Sequence, residues 1–266
     1  MFVVATPIGN LGDLTRRAED VLKSVQILAA EDTRRSQVLL EHIGHRVPEL
    51  VSLHEHNEAQ QAERLVERMQ GGEDVALVSD AGTPLINDPG FTLVGMAHAA
   101  GIPCIPVPGA CSITAALSVC PLACQPFTYV GFLPPKAAAR KRVLEEVVAA
   151  PEASVLLETP HRIEATLSAL AELTTRRVMV ARELTKKFET ISVGRADELV
   201  GKVVGKGEFV LVVEADPGAG QNKEARELLK VLLSELPPTK AAKLASTLSG
   251  RKKAELYDLA VELSEK

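Results

Sequence analysis

A loop of small and polar residues, Ser79 to Pro84, follows a short apolar run in the first half of the sequence. The run, Val75–Val78, is bounded by turn-forming residues, which is typical of a buried strand. Small residues let backbone N–H groups approach a ligand closely, so the loop predicts a binding site beyond the strand's carboxyl end. Asp80 would bind an amino group of the ligand, and the loop amides would bind its carboxylate. Ordinary turn formation is the alternative explanation for the same residue types.

Proton-accepting side chains occupy similar positions after two other apolar runs. Glu31 and Asp32 follow one of these runs, and His54 and His56 follow another. A carboxylate or an imidazole at such a position could serve as a general base. Asp32 is equally suited to cap the helix that follows, and a histidine after a strand is often a hydrogen-bonded structural residue. The histidines and Glu55 do not form a metal-binding motif, and we predict no metal.

Basic residues lie mostly in predicted loops and at predicted helix starts. Arginine binds phosphate through two parallel hydrogen bonds and would position a nucleic acid without reading its sequence. Solvated surface charge is the alternative for each of them, but together they are better explained by a polyanionic partner. The set comprises Arg34, Lys136, Arg140, Arg162, Arg182, Lys186 and Lys187.

The elements that must position these residues alternate between strands and helices. This alternation predicts an α/β protein with parallel or mixed sheets covered by helices on both faces. Strands are predicted at 2–5, 25–30, 51–53, 74–79, 102–107, 127–132, 153–157, 177–181, 188–193 and 208–214.

The last fifty residues follow a different pattern. Asp216 to Asn222 is rich in Pro, Gly and Asn and predicts a linker, and three helices are predicted at 223–236, 239–248 and 251–264. The last two resemble a helix-turn-helix with basic residues at the start of its second helix, although a small bundle with solvated lysines would look the same. We predict domains at 1–117, 118–216 and 217–266.

Charge and composition limit the classes of partner. The chain has 266 residues, of which 46% are hydrophobic and 24% charged, as expected for a globular protein. Its net charge is −5, and the first 110 residues contain 8 basic against 15 acidic residues. A nucleic-acid partner must therefore be bound by local patches, because the net charge of the whole protein offers no electrostatic attraction. With no Trp and two Tyr, a base-stacking platform is not evident.

Two further features concern location. The sequence enters its first strand without a preceding basic region, and no apolar run approaches the length of a membrane span, so we expect a cytoplasmic protein. The four cysteines include no CxxC pair and are expected to be reduced core residues.

Eight segments, in this order, resemble the bacterial small-subunit ribosomal RNA methyltransferase I family. They are ATPIGNLGDLTRRA, AEDTRR, HEHNE, SDAGTPLINDPG, VPGACS, GFLPPK, TPHR and ARELTKKFET. The resemblance spans residues 3–214, and the helical tail is also similar to the family's. It implies two α/β domains of the tetrapyrrole methylase type, with S-adenosylmethionine in the cleft between them, and a homodimer. It also implies methylation of the ribose 2′-oxygen of a cytidine in the decoding region of 16S rRNA, within the small ribosomal subunit.

The resemblance implies residue roles as well. The loop at 80–82 would hold the methionine portion of the cofactor, residues 111–113 its ribose and adenine, and Pro7 would lie near the donated methyl group. Core packing would explain Leu157 and Ala181 equally well, and Leu157 stands where the family usually has an aromatic residue. The implied cofactor residues are Pro7, Asp80, Ala81, Gly82, Cys111, Ser112, Ile113, Leu157, Ala181, Arg182, Gly207, Glu208 and Phe209.

Methyl transfer to a ribose hydroxyl is an in-line displacement at the sulfonium carbon. Most of the acceleration should come from holding oxygen and methyl carbon about 3–3.5 Å apart and in line. A positioned base would add about 10²–10⁴-fold, and Glu31 and Asp32 are the predicted candidates, with His54 and His56 behind them. Because adjacent side chains point in different directions, at most one of the two carboxylates should face the substrate.

Three other functions agree less well with the sequence. A small-molecule methyltransferase of the tetrapyrrole type is the main alternative, but its first loop typically reads GxGPG, whereas Thr6 to Asn10 reads TPIGN. A DNA-binding regulator that uses residues 239–264 belongs to another class. A dinucleotide-dependent oxidoreductase is excluded, because no predicted strand leads into GxGxxG.

Overall fold

The contacts in a computed structural model divide the chain into two units. The model describes residues 1–54 and 56–264, with the backbone alone at 220–224. The first unit comprises Met1–Val119, Ala181–Ile191 and Gly207–Val210. The second comprises Cys120–Val180, Ser192–Lys206 and Leu211–Lys266.

The first sheet is built from five short strands in the order β3-β2-β4-β1-β5, and every neighbouring pair is parallel. The strands are β1 (Phe2–Val4), β2 (Ile27–Ala30), β3 (Glu49–Ser52), β4 (Val75–Val78) and β5 (Ile105–Val107). The helices of this part of the chain are α1 (Arg16–Ser24), α2 (Thr33–His42), α3 (Glu58–Gln70), α4 (Phe91–Ala99) and α5 (Ser112–Ser118), and a 3₁₀ turn covers Leu11–Asp13.

Both faces of this sheet are buried, which explains why its central strands are unbroken apolar runs. In β4, Val75 and Leu77 belong to one core cluster with residues of α3 and α4. Ala76 and Val78 belong to the opposite cluster, with residues of α1 and α2. Because the strands are parallel, the loops that follow them all leave from the same edge of the sheet.

The second sheet has the order β6-β7-β10-β8-β9. Its strands are β6 (Phe127–Phe132), β7 (Ala153–Glu158), β8 (Arg177–Arg182), β9 (Thr190–Arg195) and β10 (Phe209–Val213). The helices are α6 (Ala137–Ala149), α7 (Ile163–Leu173) and α8 (Ala196–Leu199). The predicted α/β class is confirmed by these two sheets and their helices.

The chain ends in three helices, α9 (Pro217–Leu233), α10 (Pro238–Ser249) and α11 (Lys253–Ser264), as the tail pattern predicted. They share a small core that includes Leu229, Ala245 and Leu256. The predicted linker at 216–222 is wrong, because α9 already begins at Pro217. The Asp216 side chain accepts a hydrogen bond from the Gly218 N–H, and proline is favourable at a first helical position. These two features stabilise the start of the helix more than the glycines destabilise it. Within the described residues, no helix is long and apolar enough to cross a bilayer.

Candidate active site

Four groups of predicted site residues lie in loops at the carboxyl edge of the first sheet. Pro7 follows β1, Glu31 and Asp32 follow β2, and residues 80–82 follow β4. Residues 111–113 lie where the loop after β5 ends and α5 begins. In the strand order these are neighbouring strands, so the topology brings together segments that are far apart in sequence.

Hydrogen bonds join the loops after β1, β4 and β5. The backbone N–H of Thr6 donates to the Gly82 carbonyl at 2.8 Å, and the Gly82 N–H donates to the Thr6 carbonyl at 3.0 Å. The hydroxyl of Thr83 donates to the Ala110 carbonyl at 3.2 Å. Gly82 has φ +88°, and a Cβ there would lie 3.2 Å from Cγ2 of Ile8. The loops are therefore closely packed, and glycine is needed at their meeting point.

A pocket of about 130 Å³ opens at this edge, between the loops after β1 and β4 and the first turns of α2. Thr6, Pro7, Gly9, Arg35 and Asp80 are among its lining residues. Pockets that enclose a whole drug-sized ligand measure about 300–1,000 Å³. This pocket is therefore the right size for one end of a cofactor and too small for all of it.

Asp80 is anchored to the start of α2. Its Oδ1 accepts the Asp32 backbone N–H at 2.9 Å, and its Oδ2 lies 3.3 Å from Nε of Arg35. The predicted ligand-binding carboxylate is thus fixed in place by partners within the protein.

Asp32 is the N-cap of α2. From the sequence, this structural role was the alternative to a role as general base. Its carboxylate accepts the Arg34 backbone N–H at 2.9 Å and also binds the Arg34 guanidinium. The hydrogen bond from the Arg34 side chain is the main reason that the pKa of Asp32 falls to about 2. A general base works best with a pKa near the working pH, so Asp32 is poorly suited to that role.

Glu31 is the better suited of the two carboxylates. Partial burial raises its pKa above the ordinary value, and the negative charge of Asp80 raises it further. Raised carboxylate pKa values are characteristic of catalytic acids and bases.

Asp88 is a third acidic group here, and the sequence analysis did not single it out. Burial raises its pKa to about 6, although a hydrogen bond with the Ser79 side chain opposes the shift, and the charges of Glu31 and Asp80 add to it. The only sequence signal was its place in the segment SDAGTPLINDPG, whose last residues read as a turn.

The loop that carries Asp88 has an unusual backbone. Leu85 and Asn87 have φ values of +70° and +66°, a region that residues other than glycine rarely adopt. The loop is fixed at its end by Glu58, whose Oε1 accepts the N–H groups of Gly90 and Thr92 at 3.1 and 2.6 Å. Glu58 is the last residue of the segment HEHNE, and these hydrogen bonds give it a structural role. In the same segment, His54 and His56 are exposed and their rings meet edge to face, and Glu55 lies outside the described residues.

Another group of predicted cofactor residues belongs to the first unit through the segments 181–191 and 207–210. Ala181 and Phe209 are buried, and Arg182 donates from Nη1 to the Phe188 carbonyl at 3.1 Å. Gly207 and Glu208 form the turn that leads into β10. Leu157 lies in the second unit, half-buried near the end of β7.

The predicted RNA-binding residues divide into two kinds. Arg140 is buried and donates to the carbonyls of Pro134 and Pro135, and Arg162 pairs with the fully buried carboxylate of Glu158 at 2.8 Å. Both guanidinium groups are thus bound to groups of the protein itself. The exposed ones are Arg34, Lys136 and Lys187, and Lys186 is half-buried.

No three His, Cys, Asp or Glu side chains are grouped as a metal site would require, in the part of the chain that the structure describes.

Two family models match the chain. Residues 1–200 match the model described as Tetrapyrrole (Corrin/Porphyrin) Methylases. Residues 219–264, which contain most of α9 and both later helices, match the model described as the RsmI C-terminal HTH domain.

Curated relatives match over almost the whole length. A protein of Xylella fastidiosa strain Temecula1 named ribosomal RNA small subunit methyltransferase I is 47% identical over 97% of each chain. A protein of the same name from Escherichia coli O157:H7 is 44% identical over 98% of this chain and 94% of its own.

Solved structures share the fold at low sequence identity. A diphthine synthase has a TM-score of 0.63 at 17% identity, covering 80% of this chain and 88% of its own. The methyltransferase CobJ has a TM-score of 0.60 at 18% identity, covering 80% of this chain and 93% of its own.

Proposed function

Because the chain belongs to the ribosomal RNA small subunit methyltransferase I family, with the fold of the tetrapyrrole methylases, we propose that it methylates 16S rRNA. The methyl donor is S-adenosylmethionine, and the acceptor is the ribose 2′-oxygen of a cytidine in the decoding region. The observation that carries the proposal is the set of hydrogen-bonded loops after β1, β4 and β5, of which the loops after β1 and β4 line one pocket.

The pocket and its loops fit the reactive end of such a donor. The backbone at residues 80–82 would bind the methionine portion, with Pro7 beside the methyl group. Residues 111–113 would bind the ribose and adenine. The tight packing of Gly82 against Ile8 supports this arrangement, because it leaves no room for a side chain that would shield the loop amides. The segments 181–182 and 207–209 complete the proposed cofactor residues, and Leu157 stays a prediction.

S-adenosylmethionine, when bound, supplies an electrophilic methyl group on a sulfonium. The protein's task is then to hold the ribose oxygen in line and to take its proton. We assign the role of proton acceptor to Glu31, because its raised pKa is closer to neutral pH than the lowered pKa of Asp32. Asp32 instead fixes the start of α2 and donates its backbone N–H to Asp80.

RNA would be bound by the exposed basic residues Arg34, Lys136 and Lys187. Their small number, and the acidic first half of the chain, favour a folded ribosomal particle over unstructured RNA as the substrate, since shape is the main feature by which structured RNA is recognised. We further propose that the protein acts in the cytoplasm and that it does so as a homodimer.

A transfer assay tests the proposal. Small ribosomal subunits from cells that lack this protein are incubated with the purified chain and S-adenosylmethionine carrying a labelled methyl group. Mass spectrometry of the rRNA should then find one new labelled ribose in the decoding region. Label on a base would overturn the proposed ribose acceptor. Label only in an added tetrapyrrole would overturn the RNA function and support the small-molecule alternative.

A further inference from the structure

Lys186 lies at the centre of a tightly packed contact between three segments of the first unit. Its Nζ is 2.9 Å from Oε1 of Glu183 and 3.0 Å from Oε2 of Glu208. Its methylene groups cover the backbone of Gly9, where a Cβ would lie only 2.4 Å from Cγ of the lysine. One side chain therefore contacts the loop after β1, the turn after β8 and the residue before β10.

Glu183 extends this contact to the turn at 207–208. The Glu208 backbone N–H donates to Oε1 of Glu183 at 3.0 Å, and the Glu183 N–H donates to the Glu208 carbonyl at 2.9 Å. Gly207 has φ +90°, and a Cβ there would lie 2.3 Å from Cδ of Glu183. The two segments are thus packed so closely that only glycine fits at 207.

The turn that carries Lys186 has a strained backbone. Glu183 and Thr185 have φ values of +51° and +66°, and the second is a β-branched residue, for which this region is a clear outlier. The turn is held by the Thr185 N–H, which donates to Glu189 at 2.5 Å. Such strain persists where the surroundings fix the conformation, and it is concentrated at functional sites.

The three segments also bear on the proposed cofactor site. Gly9 lines the same pocket as Pro7 and Asp80. Residues 207–209 are proposed cofactor residues on the other side of the contact. Without the lysine charge, the carboxylates of Glu183 and Glu208 would repel each other, and the loop after β1 would lose the side chain that covers it.

We propose that Lys186 is a positioning residue for S-adenosylmethionine. In this role the lysine holds residues 6–10 against residues 207–209 and does not contact RNA. The inference rests on the proposed function for the identity of the ligand. Lys187 provides the contrast, because it is exposed, and its Nζ lies 5.6 Å from the centre of the Phe188 ring. Of two adjacent lysines, the first is thus bound within the protein and the second is accessible to a polyanion.

The test compares the full-length variants Lys186→Met, Lys186→Arg and Lys187→Met, with Lys202→Met at an exposed position of the second unit as the control. Calorimetry measures the Kd for S-adenosylmethionine, and the transfer assay measures the KM for each substrate. Losing a hydrogen-bonded charge should weaken cofactor binding about tenfold in Lys186→Met, and Lys186→Arg should stay within about threefold of wild type. Lys187→Met should raise the KM for the ribosomal subunit and leave the cofactor Kd unchanged.

Hydrogen exchange of the cofactor-free proteins provides a second readout. Peptides that cover residues 1–12 and 205–210 should exchange faster in Lys186→Met than in wild type. This measurement keeps the inference testable even if the wild-type protein binds no S-adenosylmethionine, an outcome that would refute the proposed function alone. If Lys186→Met proves unfolded, Glu183→Gln removes one of the two charges at the ammonium without altering a proposed cofactor residue, and it should weaken cofactor binding in the same direction.

Two results would overturn the inference. One is a wild-type cofactor Kd in Lys186→Met together with an increased KM for the ribosomal subunit, which would identify Lys186 as an RNA contact. The other is unchanged exchange in both peptides.

Discussion

The carboxylate of Asp80 accepts the backbone N–H of Asp32 at 2.9 Å, across the ends of two neighbouring parallel strands. This bond connects the loop proposed to bind the cofactor with the segment proposed to supply the base. It also places the charge of Asp80 close enough to raise the pKa of Glu31.

Replacing Asp80 by Asn should therefore shift the pH dependence of methyl transfer. Removal of its negative charge lowers the pKa of Glu31 towards the ordinary value, so the ionised base persists to lower pH. Initial rates between pH 5 and 8, at saturating substrates, should show the acidic limb moved to lower pH in Asp80→Asn. Asp20→Asn, an equal change of charge on the exposed face of α1, is the control. An unmoved midpoint would contradict the assignment of Glu31 as the base.

Amide substitutions should separate the roles of Glu31 and Asp32. Glu31→Gln removes the proposed proton acceptor and should lower kcat by about 10²–10⁴-fold with little change in the cofactor Kd. Asp32→Asn preserves an N-cap oxygen and should retain most of the activity, whereas Asp32→Ala should lower the Tm by a few degrees through loss of the cap. Single-turnover rates and thermal melts measure the two effects. The reverse order of kcat losses would assign the base to Asp32.

Ionisation of Asp88 should make folding less favourable above about pH 6. Its folded-state pKa is raised from 3.8 to about 6, so the folded protein prefers the protonated form, and stability decreases as the pH rises through about 6. Asp88→Asn should therefore increase the free energy of unfolding at pH 8, by about 1 kcal/mol after allowance for solvent screening of this half-buried group. At pH 4 the gain should vanish. Urea unfolding at both pH values measures the difference, and an equal gain at both would show that titration of Asp88 is not its source.

Arg162 and Lys136 should behave differently although both were predicted to bind RNA. Arg162→Ala leaves the buried carboxylate of Glu158 without its charged partner, which should lower the free energy of unfolding by about 3 kcal/mol. Lys136→Ala removes an exposed charge and should raise the KM for the ribosomal subunit without changing stability. Urea denaturation and steady-state kinetics distinguish the two. A stable Arg162→Ala protein with a raised KM would restore the RNA role.

The central strands of the first sheet were predictable from the sequence because both faces of the sheet are covered there, which makes each of them a short apolar run. The loops proposed to bind the ligand were predicted for a related reason: where such a run stops at a carboxyl end, the residues that follow lie at the edge of the sheet where ligands commonly bind. Ser79 to Pro84 is the clearest case.

Other properties depend on contacts that the sequence does not display. The raised pKa of Asp88 arises from burial in a loop whose backbone takes rare conformations, and neither feature follows from local sequence. Lys186 and Lys187 are identical in type and adjacent, so only the positions of Glu183 and Glu208 distinguish them. Arg140 likewise looks like a surface cation until the carbonyls of the preceding turn are located.

The short passage from β10 to α9 has a mechanical consequence. Only three residues separate Val213 from Pro217, and all three are held by backbone hydrogen bonds. The N–H groups of Glu214, Ala215 and Asp216 donate to the carbonyls of Arg177, Ala123 and Pro151 at 3.0, 2.8 and 2.9 Å. The connection between the second sheet and the terminal helices is therefore short and held in place along its length. We therefore expect α10 and α11 to keep a fixed position relative to the second sheet, so that a partner bound by these helices would be held at one distance and angle from it.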